Sequence, residues 1–448
     1  MWPQCRQLPL TLIVYEQTVA TSHTAVRRFK RFNISDYNRR MENSSLQNRA
    51  HKPLVIALAG TLSLAVAMGI GRFAFTPLMP MMLNDGLLDI AGASWLASAN
   101  YLGYLLGALL CTLQPMLWSR WSLPPLKNAL MVKSCLSITC VLTAMMATDW
   151  PAAWPWWRFM AGVITAFAFV FTSTWCLAHL ARLNAPTAGG IVYAGPGVGI
   201  ASSGLLASLM VQMDWRAGSG WLAFSLLAAC MTLLVWPIFK DDDVPQSNSS
   251  TQAHAIAQGG STTEKAALTV AYGLAGFGYI ITATFLPVIA RTALPGSVWP
   301  DLFWPMLGVG VACGAVIASR IPARVDQRLL LIGCYLMQAL GVVMGNWLPT
   351  LAGFALGSLL VGLPFTVITF FVMQLGRKLH PQAVSAIIGL LSAAFGLCQI
   401  IGPPVAAMLL ARAPDHATGF SWALNIAALT LLAGAAIYAW MLRKFPQA

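Results

Sequence analysis

Twelve separate stretches of about 20 almost wholly apolar residues run through this chain, each long enough for an α-helix to cross the hydrocarbon core of a bilayer. They begin near Leu54, Ala91, Leu126, Trp154, Gly189 and Ala217 in the first half, and near Ala266, Val298, Leu329, Pro349, Val384 and Phe420 in the second. Between lipid tails each backbone N–H and C=O needs a partner inside the protein, so runs of this length fold as helices. Composition agrees: 9% of the 448 residues are charged and 58% are hydrophobic, against roughly 25% charged in soluble domains. The sequence predicts an all-α polytopic membrane protein.

The formal charge of +13, from 27 basic and 14 acidic residues, would point to a nucleic-acid partner in a soluble chain. Here the basic residues fall between the apolar runs and nearly all on one side. The N-terminal segment, Arg120, Lys127, Arg182, Arg320, Arg324, Arg328, Arg377, Lys378, Arg443 and Lys444 alternate with a side that holds Arg216, Arg291 and Arg412. Translocation of basic loops is disfavoured, so both termini are expected in the cytoplasm and no nucleic acid is expected as partner. Residues 1–52 read as a polar, basic extension without a signal peptide's apolar core, expected to be disordered. Within them the compact polar lead from Met41 marks a second candidate start. Residues 240–265, rich in Ser, Gln, Thr, Asp and Gly, bury too little apolar area to fold alone. They read as a cytoplasmic linker between six-helix halves at 53–239 and 266–444, with 445–448 as a tail.

One offset, 207 residues, sets three helices of the second half on three of the first without gaps. Gly69-Ile-Gly71-Arg72 closed by Pro80 falls on Gly276-Phe-Gly278-Tyr279 closed by Pro287. Gly103, Gly107 and Ala108 fall on Gly310, Gly314 and Ala315, and Gly195-Pro196 with Val198 on Gly402-Pro403 with Val405. Two pseudo-symmetric six-helix bundles about an axis along the membrane normal are one design of secondary transporter, with the solute site between them. Gly and Ala let helices approach closely in lipid, and Pro196 removes a backbone donor where a rocking interface has use for a bend. Gly195, Pro196, Gly402 and Pro403 are therefore candidate gating or packing positions; ordinary helix packing is the plainer reading of the same glycines.

At these residues the chain resembles the major facilitator superfamily, over about residues 53–444. Arg158-Phe-Met-Ala-Gly162 looks like the family's fourth-helix arginine motif, and Gly195-Pro196 like its fifth-helix glycine-proline motif, commonest in exporters. The loop between the second and third helices keeps Arg120 and Lys127 but lacks the acid of the family's basic motif. Gly314 through Arg320 and Arg324 echo that motif in the second half, also without the acid. More narrowly, MGIGRFAFTPLMPMM (68–82), YGLAGFGYIITATFLPVIAR (272–291) and CQIIGPPVAA (398–407) are similar to the YbfB/YjiJ group of bacterial transporters. The resemblance implies the major facilitator fold, a bacterial inner membrane and alternating access.

A charge inside the bilayer costs about 2.5–3.5 kcal/mol on insertion scales, which makes Arg72 a functional candidate by default. It lies about eighteen residues into the first helix, near or somewhat beyond mid-membrane at about 1.5 Å per residue, and its planar fork suits carboxylate or phosphate. Snorkelling or a bracing bond to carbonyls is the alternative. Arg158, about five residues into its helix, lies within snorkelling reach of the headgroups and is a second candidate. Thr76, Asn100, Tyr101, Tyr279, Thr282 and Gln399 would complete a cavity, although each also suits a helix-packing hydrogen bond. Tyr279 occupies the repeat position of Arg72, so the two are expected face to face across the central axis. All fourteen acids lie in tails, loops or helix ends, which leaves no buried carboxylate relay and weighs against cationic solutes. Asp301 is then the best protonation candidate, with Asp89 behind it; a solvated loop acid is the simpler reading of both.

Nine Cys without C-x-x-C and six scattered His without H-E-x-x-H support neither disulfides nor a metal site, and no cofactor is expected. No G-x-x-x-x-G-K-[ST] argues for an ATP-driven pump. The expectation is a secondary transporter, not an enzyme, moving a small organic solute, anionic or zwitterionic by preference, with protons as an open coupling partner. A proton-coupled exporter of drugs or metabolites is one alternative. A polytopic enzyme acting on lipid-linked substrates is another, for which no spacing supplies a nucleophile, acid–base pair or metal cluster. Solute, direction and oligomeric state stay open, and a monomer is compatible with all of this.

Overall fold

The computed structural model describes residues 52–120, 127–240, 261–322, 325–380 and 384–445. The N-terminal extension with Met41, the body of the linker and the last three residues of the tail lie outside them. Among the described residues there are 12 helices long and apolar enough to cross a membrane and no strand. They are α1 (Lys52–Asn84), α2 (Ile90–Arg120), α3 (Asn128–Met145), α4 (Pro151–Arg182), α5 (Gly189–Gln212) and α6 (Ala217–Val235). The second half holds α7 (Thr262–Ala293), α8 (Pro300–Ala318), α9 (Gln327–Trp347), α10 (Leu351–Leu379), α11 (Val384–Arg412) and α12 (His416–Lys444). Each starts within a few residues of its expected position. We call the face that carries residues 240 and 261 and Lys444 proximal, and the opposite face distal.

The acids of the links are used as helix caps. Asp89 Oδ1 accepts from Gly92 N–H at 2.7 Å to start α2, and Asp85 Oδ2 from Ala217 N–H at 2.8 Å to start α6. Asp326 caps α9 through Arg328 N–H at 2.8 Å. Asp415 caps α12 through the N–H and hydroxyl of Thr418, both at 2.8 Å, and the backbone bond above all holds its carboxyl below the ordinary carboxylate range. Such oxygens satisfy N–H groups that a helix start leaves free. At the other end of a helix, Gly86 (φ 68°) turns the chain after α1 in the left-handed region, and Leu87 N–H closes back on Met82 O at 3.0 Å.

Small residues set the packing inside each half, and they repeat. A Cβ on Gly103 would meet Phe159 O and one on Gly107 would meet Val163 O, both of α4; their counterparts Gly310 and Gly314 face Leu359 O and Leu363 O of α10. Gly162 faces Asn100 O just as Gly362 faces Leu307 O. The sequence offset of 207 thus holds between α2 and α8, and becomes 200 between α4 and α10. The same backbone-to-backbone approach is built twice, the arrangement that lets helices attract in lipid.

Two seams join the halves. Along α5 and α8, Gly190 sits on Ser319 near the proximal face, Gly197 on the backbone of Gly308 and Ala312 in the middle, and Gly204 on Pro305 and Trp304. The helix α5 is itself broken at the glycine-proline site, with Tyr193 and Ala194 in a turn and Pro196 in the first turn of the helix that resumes at Gly195. Along α2 and α11, Gly389 faces Thr112, Gly396 faces Leu105, and Ser98 Oγ donates to Ile400 O at 2.9 Å.

Candidate functional site

The first helix changes winding where its charge sits. Ala65–Arg72 is a π-helix, Phe73 and Ala74 form a turn, and α-helix resumes at Phe75. Such insertions cluster at functional sites because they re-aim side chains and free backbone groups. Thr76 N–H, which in a regular helix would donate to Arg72 O, donates to Phe73 O at 3.1 Å. Arg158 of α4 takes up the released acceptors: its Nη2 donates to Arg72 O at 3.0 Å and its Nη1 to Gly71 O at 3.3 Å. Asn100 Nδ2 donates in turn to Arg158 O at 2.9 Å. Arg158 is buried, with 3% exposure; it does not snorkel, and it holds the break from behind.

Arg72 itself is 3% exposed. Its guanidinium lies over the Tyr104 ring, 3.8 Å from the centroid, with Phe73 at 5.4 Å and Tyr101 at 5.5 Å, contacts that stabilise a cation through the ring faces. Nη2 donates to Gln399 Oε1 of α11 at 2.8 Å, and Gln399 Nε2 donates to the Tyr279 hydroxyl of α7. The expected pairing of Arg72 with Tyr279 is thus made through Gln399. Arg72 Nε is buried without a hydrogen-bond partner. Among the described residues the ion pairs are Arg291–Asp301 and Arg328–Glu264, and neither Arg72 nor Arg158 belongs to one. On the side of α7, Tyr279 stacks on Phe395, which stacks on Tyr272, with centroids 5.8 and 4.4 Å apart.

Distal to Arg72 the two halves are latched together. Thr76 Oγ1 donates to Ala283 O at 2.9 Å, between positions 207 residues apart, and Tyr101 shares a 3.0 Å hydrogen bond with Thr284 Oγ1. The acceptors have a common origin. Ala283 O would normally receive the N–H of residue 287 and Ile400 O that of residue 404; both are prolines inside their helices and have no N–H. The hydroxyls of Thr76 and Ser98, on the other half of the molecule, supply the missing donors. From Ser63 to Met82 on α1 and from Gly278 to Pro287 on α7 every residue is buried, whereas Val55, Leu58, Ala266 and Val270 nearer the proximal face are exposed.

The remaining expected positions lie elsewhere. Thr282 points into the second half, lining a small cavity with Leu286, Gly341, Phe354 and Ser358, and its hydroxyl has no partner. Asp301 pairs with Arg291 at 2.7 Å at the distal end of α7 and α8. Gly195 packs on Thr61 O and Leu64 of α1, and Gly402 on Ile280 of α7, with Pro403 beside Pro404 in α11. Tyr104, Phe73 and Ser98 were not singled out by sequence reasoning. Pro287 and Pro404, each four residues after a carbonyl that needs a new donor, were the signal available for the latch.

The description "Uncharacterised MFS-type transporter YbfB" belongs to the family model that matches residues 64–439. The chain belongs to that family. It is a multi-pass membrane protein of the major facilitator superfamily, a secondary transporter of small molecules and not an enzyme. No curated protein matches the chain. Among solved structures it is similar to the nucleoside transporter NupG as a D323A mutant, with a TM-score of 0.67 and 15% identity over 87% of this chain and 99% of that one. A second NupG structure gives a TM-score of 0.64 and 15% identity over 88% and 99%. At that identity the likeness concerns the fold.

Proposed function

We propose that this transporter carries a small organic anion across the bacterial inner membrane by alternating access, with Arg72 as the anchor for the anion. One observation carries the reading: a guanidinium buried at the meeting of the two halves has no carboxylate partner and keeps Nε unbonded. A buried unpaired charge costs several kcal/mol. Nε and Nη2 lie on one edge of the guanidinium, the edge on which a carboxylate binds through both oxygens. Gln399 occupies only the Nη2 position. An anionic or zwitterionic solute fills both, and a neutral nucleoside, the solute named for NupG, leaves the charge uncompensated.

The halves 53–239 and 266–444 are the moving bodies in this reading, with both termini in the cytoplasm. The conformation described is then closed to the outside by Thr76–Ala283 and Tyr101–Thr284, with Val55, Leu58, Ala266 and Val270 exposed on the inner parts of α1 and α7. Arg158 and Asn100 act as a brace for the broken helix, and Asp301 is engaged by Arg291 at the distal end of α7 and α8. Proton-coupled export finds less support than anion uptake, uniport or exchange. The test is a thermal-shift panel of organic acids, amines and sugars on purified protein, repeated on Arg72→Leu. Stabilisation by carboxylates that vanishes in the variant is expected; stabilisation by amines or neutral sugars, undiminished in Arg72→Leu, would refute the role of Arg72.

A further inference from the structure

The bond between Arg72 and Gln399 raises a question that the anion reading leaves open: how the carrier crosses the membrane empty. A carrier whose site holds an uncompensated charge resists closing around it without a bound counter-ion, which confines it to exchange of one anion for another. Two features of this site answer otherwise. Gln399, 2% exposed, presents a neutral amide oxygen to Arg72 Nη2 at 2.8 Å, and its amide nitrogen is held by the Tyr279 hydroxyl, so the side chain is fixed at both ends. The three groups come from α1, α11 and α7, so the contact forms only when the two halves meet. The face of Tyr104 at 3.8 Å adds further stabilisation of the cation.

We propose that Gln399 is a resident surrogate for the solute's carboxylate: it fills half of the Arg72 fork in the empty carrier, lets that carrier close and return, and is displaced when an anion takes both Nε and Nη2. The protein then supports net transport without a counter-solute. This rests on the anion reading of Arg72, and it adds a role for a neutral residue that reading does not need. The balance depends on Gln399 being neutral. A full charge at that position would hold Arg72 permanently, whereas an apolar side chain would leave it unpaired whenever the site is empty.

The experiment needs no identified solute. Leu87 and Val298, exposed in the distal links of the two halves, are replaced by a ketone-bearing amino acid and spin-labelled. Distance distributions are then measured in nanodiscs in chloride buffer without organic anions. Wild type is expected to populate the distally closed state. Gln399→Leu is expected to lose about tenfold or more of that population, because an unpaired buried guanidinium is costly. The double variant Arg72→Leu, Gln399→Leu is expected to recover it to within about threefold, since the coupled pair is removed together. Gln399→Glu should be closed throughout and stay closed when sodium benzoate or sodium acetate is added. An unchanged distribution in Gln399→Leu, or a double variant as open as Gln399→Leu, would overturn the proposal; the second result would mean that Gln399 acts through packing. Failure here leaves the carboxylate panel on Arg72→Leu untouched, and failure of that panel leaves this anion-free cycle readable.

Discussion

Replacing Thr76 by Val removes one hydroxyl from the distal latch and changes little else, because the two side chains have nearly the same shape. Thr76 is 2% exposed, and its hydroxyl is the donor to Ala283 O at 2.9 Å. Pro287 cannot supply the regular helical donor. In the closed state of the variant that carbonyl is buried and unsatisfied, at a cost of about 1–3 kcal/mol. Once the halves separate distally, water reaches the carbonyl in wild type and variant alike, so the penalty falls on the closed state alone. The closed-to-open ratio should therefore drop by roughly 5- to 150-fold. The assay is the distance distribution between labels at positions 87 and 298. A second substitution sharpens it: Pro287→Ala returns an N–H to α7 at the right place, so Thr76→Val with Pro287→Ala should close better than Thr76→Val alone. A Thr76→Val protein as closed as wild type, or one that Pro287→Ala fails to rescue, would refute the argument that a proline-released carbonyl sets the latch.

Four further outcomes follow from the same geometry. Ser98→Ala, which strips the donor from Ile400 O, should weaken closure in the same assay by about 0.5–1.5 kcal/mol, less than Thr76→Val because that contact is only partly buried. Gly197→Val places methyl groups against the backbone of Gly308 and Ala312, which has no room to yield; overpacking of about 1–3 kcal/mol should appear as a lower melting temperature and slower exchange between conformations. Arg158→Met leaves Gly71 O and Arg72 O without their donors, so it should destabilise the protein by about 2 kcal/mol or more in thermal unfolding, and Arg158→Lys should recover part of the loss. Asp301→Asn breaks a partly exposed ion pair worth about 0–1 kcal/mol and should leave the pH dependence of transport unchanged in proteoliposomes; a shifted profile would make Asp301 the proton acceptor.

The distribution of charge explains why so much of the architecture could be read without coordinates. Apolar runs of membrane-spanning length, the one-sided basic links and the glycines shared at a fixed offset are local properties, each visible in a window of a few tens of residues. Arg72 stood out for the same reason, since any charge in such a run is costly wherever its helix is placed. What the runs do not carry is the rotation of each helix about its axis. The helices are apolar around most of their circumference, so nothing in the order of residues says which side meets the other half and which meets lipid.

That rotation was decided by tertiary packing. It turned Thr282 into the interior of the second half and Thr76 onto the axis, and it brought Gln399 to Arg72 across 327 positions of chain. It also made Arg158 a brace, because only the break in α1 exposed carbonyls for it to hold. By itself the sequence determined that twelve helices would span a bilayer with the Arg72 guanidinium deep in the first. The assembled halves determined what that guanidinium faces, because a hydrogen-bond partner is chosen by distance and direction in space, and neither is encoded by hydropathy.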